Sequence, residues 1–115
     1  MLESALHNLL QNAIDFSPDG GVIQVCVKAD PATQQAVITV EDHGPGIPSY
    51  AIPRLFERFF SLQRPGTGRK SSGLGLCFVR EAAALHHGTI QVENRTDTPG
   101  TRALLRLPLF TDSAP

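Results

Sequence analysis

Cysteine is scarce in this chain, neither charge is in excess and no long apolar run occurs. Each shortage narrows what the protein can be. The two cysteines, Cys26 and Cys77, lie in apolar stretches without C-x-x-C spacing and read as buried thiols in a reducing compartment. His7, His43, His86 and His87 form no pattern with them, which argues against a metal site built from His and Cys. A formal net charge of -1 offers no basic face, so nucleic acid is not an expected partner. No apolar stretch approaches the roughly 18 residues that a bilayer-spanning helix requires. The opening Met1-Leu2-Glu3-Ser4 lacks the basic-then-apolar order of a signal peptide. Neither an internal repeat nor a low-complexity segment is visible.

What is present is ordinary globular material. Hydrophobic residues make up 41% of the chain and charged residues 18%, enough to fill a core and coat it. At 115 residues the chain suits one domain and is too short for two. Leu2, Leu6, Leu9, Ala13 and Phe16 recur at spacings of three and four, which predicts a helix over 2–16. Ser17-Pro18-Asp19-Gly20-Gly21 stops it. Residues 22–29 alternate, with Ile23, Val25 and Val27 on one side, and 36–41 alternate with Ile38 and Val40 inward. The turn at 30–33 makes these two strands a hairpin. Residues 42–48 hold too much Gly and Pro for regular structure. A short helical piece is expected through 55–60 and a mobile loop over 61–72. Residues 73–87 read as a helix with Leu74, Phe78, Ala82 and Leu85 on one face, stopped by Gly88. Strands over 89–94 and 101–107 close the chain, with a turn at Gly100. Strands in adjacent pairs, with helices between the pairs, imply an α+β two-layer sandwich, mostly antiparallel, with helices on one face of the sheet. The first helix begins without a cap or a preceding strand, so a domain start further upstream is expected.

Three local features carry chemistry. Asn8 and Asn12 lie four apart, hence on one stripe of the first helix, where asparagine is a mediocre helix former. Their amides could satisfy backbone groups or face water; alternatively, an amide oxygen is a neutral hard ligand suited to Mg²⁺ already bound to phosphates. Asp42-x-Gly44-x-Gly46 directly follows a strand. It reads either as a Gly-rich turn with a helix cap, or as a loop whose glycines admit a planar ligand while the carboxylate accepts from an exocyclic amine. Such an acceptor prefers adenine to guanine. Ser71-Ser72-Gly73-Leu74-Gly75-Leu76 opens a helix, where free N–H groups attract phosphate, although the Walker A spacing is absent.

Taken in order, Asn8-Leu9-Leu10-Gln11-Asn12-Ala13, Asp42-His43-Gly44-Pro45-Gly46, Phe56-Glu57-Arg58-Phe59-Phe60, Gly73-Leu74-Gly75-Leu76 and Gly100-Thr101 resemble the N, G1, F, G2 and G3 boxes of the histidine-kinase ATPase domain. That family is shared with gyrase, Hsp90 and MutL, and the resemblance runs from residue 2 to about residue 110. Asn12 to Pro18, Phe56 to Leu62 and Lys70-Ser71-Ser72-Gly73 look most like the CreC-like sensor kinases. The resemblance implies a Bergerat-type ATP-binding fold with a mixed, mostly antiparallel sheet. It further implies the ATP-binding catalytic domain of a two-component sensor histidine kinase, with ATP and Mg²⁺ as cofactors. The γ-phosphoryl group would pass to a histidine on an absent dimerisation domain of the same kinase, then to a response regulator receiver domain. None of the four histidines fits the acceptor, so the isolated domain is not expected to autophosphorylate; it is also expected to be monomeric. A cytoplasmic position in an inner-membrane-anchored bacterial sensor kinase follows from the same resemblance.

Residue by residue, the resemblance makes Asn12 the Mg²⁺ ligand, with Asn8 supporting it or contacting phosphate. Phe16 would lie beside adenine, Asp42 would accept from its amine, and Gly44, Gly46 and Ile47 would shape that wall. Leu55, Phe60 and Leu62 would close the base pocket. Residues 61–72 would form the ATP lid, carrying Lys70 and Ser72, and Gly73, Leu74, Gly75 and Leu76 would hold phosphates. Thr101 would approach adenine and Asp42 from the last strand pair. The chain departs from the family pattern at Asp15 and Ser61, where relatives often carry a basic residue, and at Ser71, which replaces the first glycine of the G2 box. A gyrase- or Hsp90-type ATPase would carry Glu at position 8 to activate water. A module that has lost nucleotide binding is the other alternative.

Overall fold

The computed structural model describes residues 2–16, 20–57, 75–96 and 98–109, with the backbone alone at Phe16 and Gly75. The first helix, α1, spans Leu2–Phe16 with Glu3 in its first turn, where a carboxylate suits the positive end of the helix dipole. Ala5, Leu9 and Ala13 are buried, one above the other at a spacing of four. Leu2 and Leu6 flank that stripe and are half-buried.

β1 (Gln24–Asp30) and β2 (Gln35–Glu41) form the expected hairpin, in which Val25 pairs with Val40 and Val27 with Ile38. Asp30 closes the turn: its Oδ1 accepts from the backbone N–H of Ala32 at 3.1 Å. Gln34 completes the turn in the left-handed region, with φ of 54°. β3 (Thr89–Asn94) and β4 (Thr101–Pro108) pair likewise. β4 also pairs antiparallel with β2, giving the order β1-β2-β4-β3. The described sheet is therefore antiparallel throughout, and the α+β architecture holds.

The second helix, α2, spans Gly75–Leu85 and packs beside α1 on the same face of the sheet. Ala5 and Leu9 of α1, Val79, Ala82 and Ala83 of α2, and Leu105 of β4 make the buried cluster, with Ile38, Ile90, Ala103 and Leu107 packed against it. α2 ends in a Schellman arrangement. The N–H of Gly88 donates to the carbonyl of Ala83 at 2.7 Å and that of His87 to Ala84 at 3.0 Å. His87, not Gly88, takes the left-handed residue of this cap, at φ of 61°.

Three expectations need correction. Leu85 is 64% exposed, because the buried stripe of α2 centres on Val79 and Leu85 falls about 120° away around the helix. Cys26 is exposed: the pleat sends it to the side of the sheet opposite Val25 and the helices. Val25 and Val27 share one side of β1 as expected; at 54% and 65% exposed they receive little cover from the helices, since β1 is at the sheet edge. The helical piece after the Gly-rich loop comes earlier than expected. It is a 3-10 turn at Ile52–Arg54 with proline near its start, and Pro53 supplies the fixed φ that such a turn uses. Residues 58–60 of the expected piece, and the expected loop at 61–72, lie outside the described residues.

Leu105→Ala removes the largest fully buried side chain among the described residues and is expected to cost about 2–5 kcal/mol in urea unfolding. Val25→Thr on the uncovered edge strand should stay within about 0.5 kcal/mol of the unmodified chain.

Candidate nucleotide site

Between the helices and the sheet lies a cleft, partly open to solvent. Its floor follows from strand register. Val40 pairs with Ala103 and Ala103 with Val92, so one row across β2, β4 and β3 faces the helices, and Thr101 continues it two residues along β4. Leu9, Asn12 and Ala13 of α1 form one wall. Gly46, Ile47, Leu55 and Leu76 form the others. This lining is mostly apolar, and the polar groups within it are few: Asn12, Asp42 and Thr101.

Asp42 is 5% exposed, immediately past the end of β2. A carboxylate removed from water requires hydrogen bonds. Its Oδ1 accepts from the N–H of Gly44 at 2.9 Å and of Thr101 at 3.3 Å. Both hydrogen bonds described for this carboxylate end on Oδ1, which leaves Oδ2 acceptor capacity on a side chain that lines the cleft. The backbone N–H of Asp42 donates to the Thr101 carbonyl at 3.0 Å, extending the β2–β4 ladder by one step. Gly100 makes this approach possible: at φ of 133° it already requires glycine, and a Cβ there would run into the Asp42 carbonyl oxygen.

The structure brings Asn12, Asp42, Gly46, Ile47, Leu55, Leu76 and Thr101 around this one cleft. Gly44 is buried behind Asp42. Asn8 sits one turn before Asn12 on α1, half-buried, and does not line the cleft among the described residues. Phe16 ends α1 and Gly75 begins α2. Phe60, Leu62, Lys70, Ser72, Gly73 and Leu74 lie outside the described residues. Asp15 is half-buried and accepts from Gln11 Nε2 at 3.1 Å, one turn away on α1.

Sequence reading missed two neighbours of the site at the end of β3. The amide of Asn94 pairs with both backbone groups of Ile47. The Arg95 guanidinium reaches Glu41, the Asp42 carbonyl and the His43 ring. A signal for the first exists: Asn94 is a polar residue in the inward phase set by Ile90 and Val92, directly before a turn. Arg95 carries no such signal, because it lies in the connection to β4.

A model of the histidine kinase-, DNA gyrase B-, and HSP90-like ATPase family matches residues 1–111. The chain belongs to that family. Among its relatives is the sensor protein CreC of Escherichia coli, 49% identical over 107 residues, which are 93% of this chain and 22% of CreC. The sensor histidine kinase TmoS of Ectopseudomonas mendocina is 44% identical over 93% of this chain and 11% of its own length. The resemblance to CreC-like sensor kinases is thus borne out, and the chain spans a small part of these relatives. In structure, the mycobacterial sensor histidine kinase MprB superposes with a TM-score of 0.75 at 37% identity, over 91% of this chain and 68% of that one. Full-length ShkA in complex with AMPPNP gives 0.76 at 27% identity, over 98% of this chain and 22% of that one.

Gly100→Ala is expected to lower stability by about 2 kcal/mol or more, since the methyl group must displace either the Asp42 backbone or the β3–β4 turn. Thermal unfolding followed by circular dichroism measures it.

Proposed function

We propose that residues 1–115 form the ATP-binding catalytic domain of a two-component sensor histidine kinase, with residues 61–72 as the ATP lid. The observation that carries this reading is the buried Asp42 carboxylate, held by backbone N–H groups at the wall of an apolar cleft. Flat apolar walls suit a purine, and a fixed anionic acceptor suits the adenine N6 amine rather than the guanine O6. Gly46, Ile47, Leu55 and Thr101 shape the base pocket, with Gly44 behind them. Phe16, Phe60 and Leu62 complete it.

Asn12 fits a magnesium ligand: its neutral amide lines the cleft, half-buried, on the side formed by α1. Magnesium, when bound with ATP, neutralises phosphate charge. Asn8, one turn along the same stripe, supports Asn12 or contacts phosphate, and its amide does not suit the water-activating role that a carboxylate would play there. Lys70, Ser72, Gly73, Leu74, Gly75 and Leu76 hold the phosphates, with backbone N–H groups at the start of α2 directed to them. The site's contribution is positioning and electrostatics rather than covalent chemistry. The γ-phosphoryl group passes to a histidine nitrogen on the dimerisation domain of the same kinase, leaving ADP, and then to a receiver domain. The kinships with CreC and TmoS support that assignment and the cytoplasmic side of a bacterial inner membrane as its place. Among the described residues no helix is long and apolar enough to cross a membrane.

Calorimetric titration tests the reading. ATP should bind with Mg²⁺ and much more weakly in EDTA, and Asn12→Ala should reproduce that loss with little change in melting temperature. A hydrogen bond to a charged acceptor contributes about 1.5–3 kcal/mol, so ATP should be favoured over GTP by at least about tenfold. Asp42→Ala should abolish that preference. Equal affinity in EDTA and Mg²⁺ would remove the role of Asn12, and equal affinity for ATP and GTP would remove that of Asp42.

A further inference from the structure

Asn94, the last residue of β3, and Arg95, the first of the connection to β4, are polar residues to which the nucleotide reading gives no task, and both reach into the loop at 42–47. Asn94 continues the inward face of Ile90 and Val92, so its amide projects to the cleft side of the sheet. Its Oδ1 accepts from the Ile47 N–H at 2.7 Å, and its Nδ2 donates to the Ile47 carbonyl at 2.9 Å. One planar amide therefore satisfies both backbone groups of a single residue, as a neighbouring strand would. The loop is drawn in tightly around it. A Cβ on Gly46, whose φ is 84°, would come within 2.9 Å of the same Oδ1.

Arg95 holds the other end of the loop. Its backbone N–H donates to Gly100 at 2.9 Å, which fixes where the side chain starts. Nη1 donates to the Asp42 carbonyl at 3.4 Å and lies 2.7 Å from His43 Nδ1, while Nε is 3.3 Å from Glu41 Oε2. Asp42 and Ile47, which both line the cleft, are thus each tied to adjacent residues of one strand end.

We propose that Asn94 and Arg95 are positioning residues for base discrimination, with Asn94 the more important. This rests on the reading of the cleft as an adenine site. Discrimination between two purines depends on a fixed spacing between the Asp42 acceptor and Ile47, which line the same cleft. Neither residue need touch the nucleotide to set that spacing. Asn94 sets it by holding Ile47, and Arg95 by holding the Asp42 backbone. A loop cut free from Asn94 has to be ordered by the ligand itself, which weakens binding and lets the pocket widen to the other base.

The test compares the unmodified chain with Asn94→Ala, Asn94→Asp and Asn94→Ser, titrated with ATP and with GTP in Mg²⁺ and in EDTA, alongside melting curves. Asn94→Ala is expected to weaken ATP binding about tenfold and to shrink the ATP-to-GTP ratio, leaving the Mg²⁺-to-EDTA ratio unchanged. Asn94→Asp keeps the acceptor for the Ile47 N–H but sets a second oxygen against the Ile47 carbonyl, so it should be as damaging. Asn94→Ser can remake one bond and should fall between. Should the alanine variant not fold, the serine and aspartate variants carry the comparison below their melting temperatures. Folded variants that retain the unmodified ATP-to-GTP ratio, even with lowered melting temperatures, would overturn the proposal while leaving the nucleotide reading intact. An unmodified chain that shows no ATP binding, or no preference for it, would overturn both.

Discussion

A carboxylate placed out of water is the constraint around which this domain is arranged. Asp42 cannot be buried unless several N–H groups meet it, and those groups come from two directions. Gly44 lies in its own loop, whereas Thr101 begins a strand 59 residues further along the chain. Bringing Thr101 alongside requires β4 to lie against β2, which places β3 at the outer edge and sends the chain across the sheet through α2. The unusual neighbour order of the strands and the local chemistry of the loop are therefore one requirement. Without β4 in that position the carboxylate loses one of its two described donors, and an under-paired buried charge costs far more than an exposed one.

The two faces of the sheet divide the remaining work. The helix-side face supplies apolar rows and the cleft floor. On the outer face, the row formed by Glu41, Arg102 and Glu93 carries charge across three strands. Arg102 Nη2 lies 3.0 Å from Glu41 Oε2, and Nη1 lies 3.5 Å from Glu93. Exposed ion pairs contribute little individually. This one is half-buried, and Arg95 joins it from the β3–β4 connection. It lies at the same end of the strands as the loop that Asp42 begins, so its effect is to hold strand ends level where the site needs them level.

Much of this was legible in the residues. α1 came out with its observed ends, because Leu2, Leu6, Leu9 and Ala13 keep one period and the Ser-Pro-Asp-Gly run breaks it. β3 did so too, while the other three strands differed by a residue or two, as alternation marks faces better than ends. The family resemblance, rather than any local pattern, named Asp42, Gly46, Ile47 and Thr101 as a group, and the fold places them around one cleft. Alternation placed Val25 and Val27 on one side but could not show that β1 would be an edge with little helix cover. Nor could it show which of three apolar phases α2 would bury, so Leu85 was placed on the wrong side. Asn94 and Arg95 were missed for a deeper reason. Their contacts are with residues 47 to 54 positions away, and no local pattern encodes a partner at that separation.

Three of the six side chains in the buried cluster are alanines: Ala5 on α1, with Ala82 and Ala83 on α2. Small residues on both helices let their backbones approach closely, and every one of these positions is already full. Ordinary sequence drift in a core exchanges one mid-sized apolar residue for another, with partial accommodation by neighbours. A methyl group leaves no such latitude, since nearly every single-residue change enlarges it. A larger residue here would wedge α2 away from α1, and so shift the cleft wall that carries Leu76 relative to the one that carries Asn12. The seam therefore constrains how variants of this domain can accumulate, although none of its three methyl groups lines the cleft.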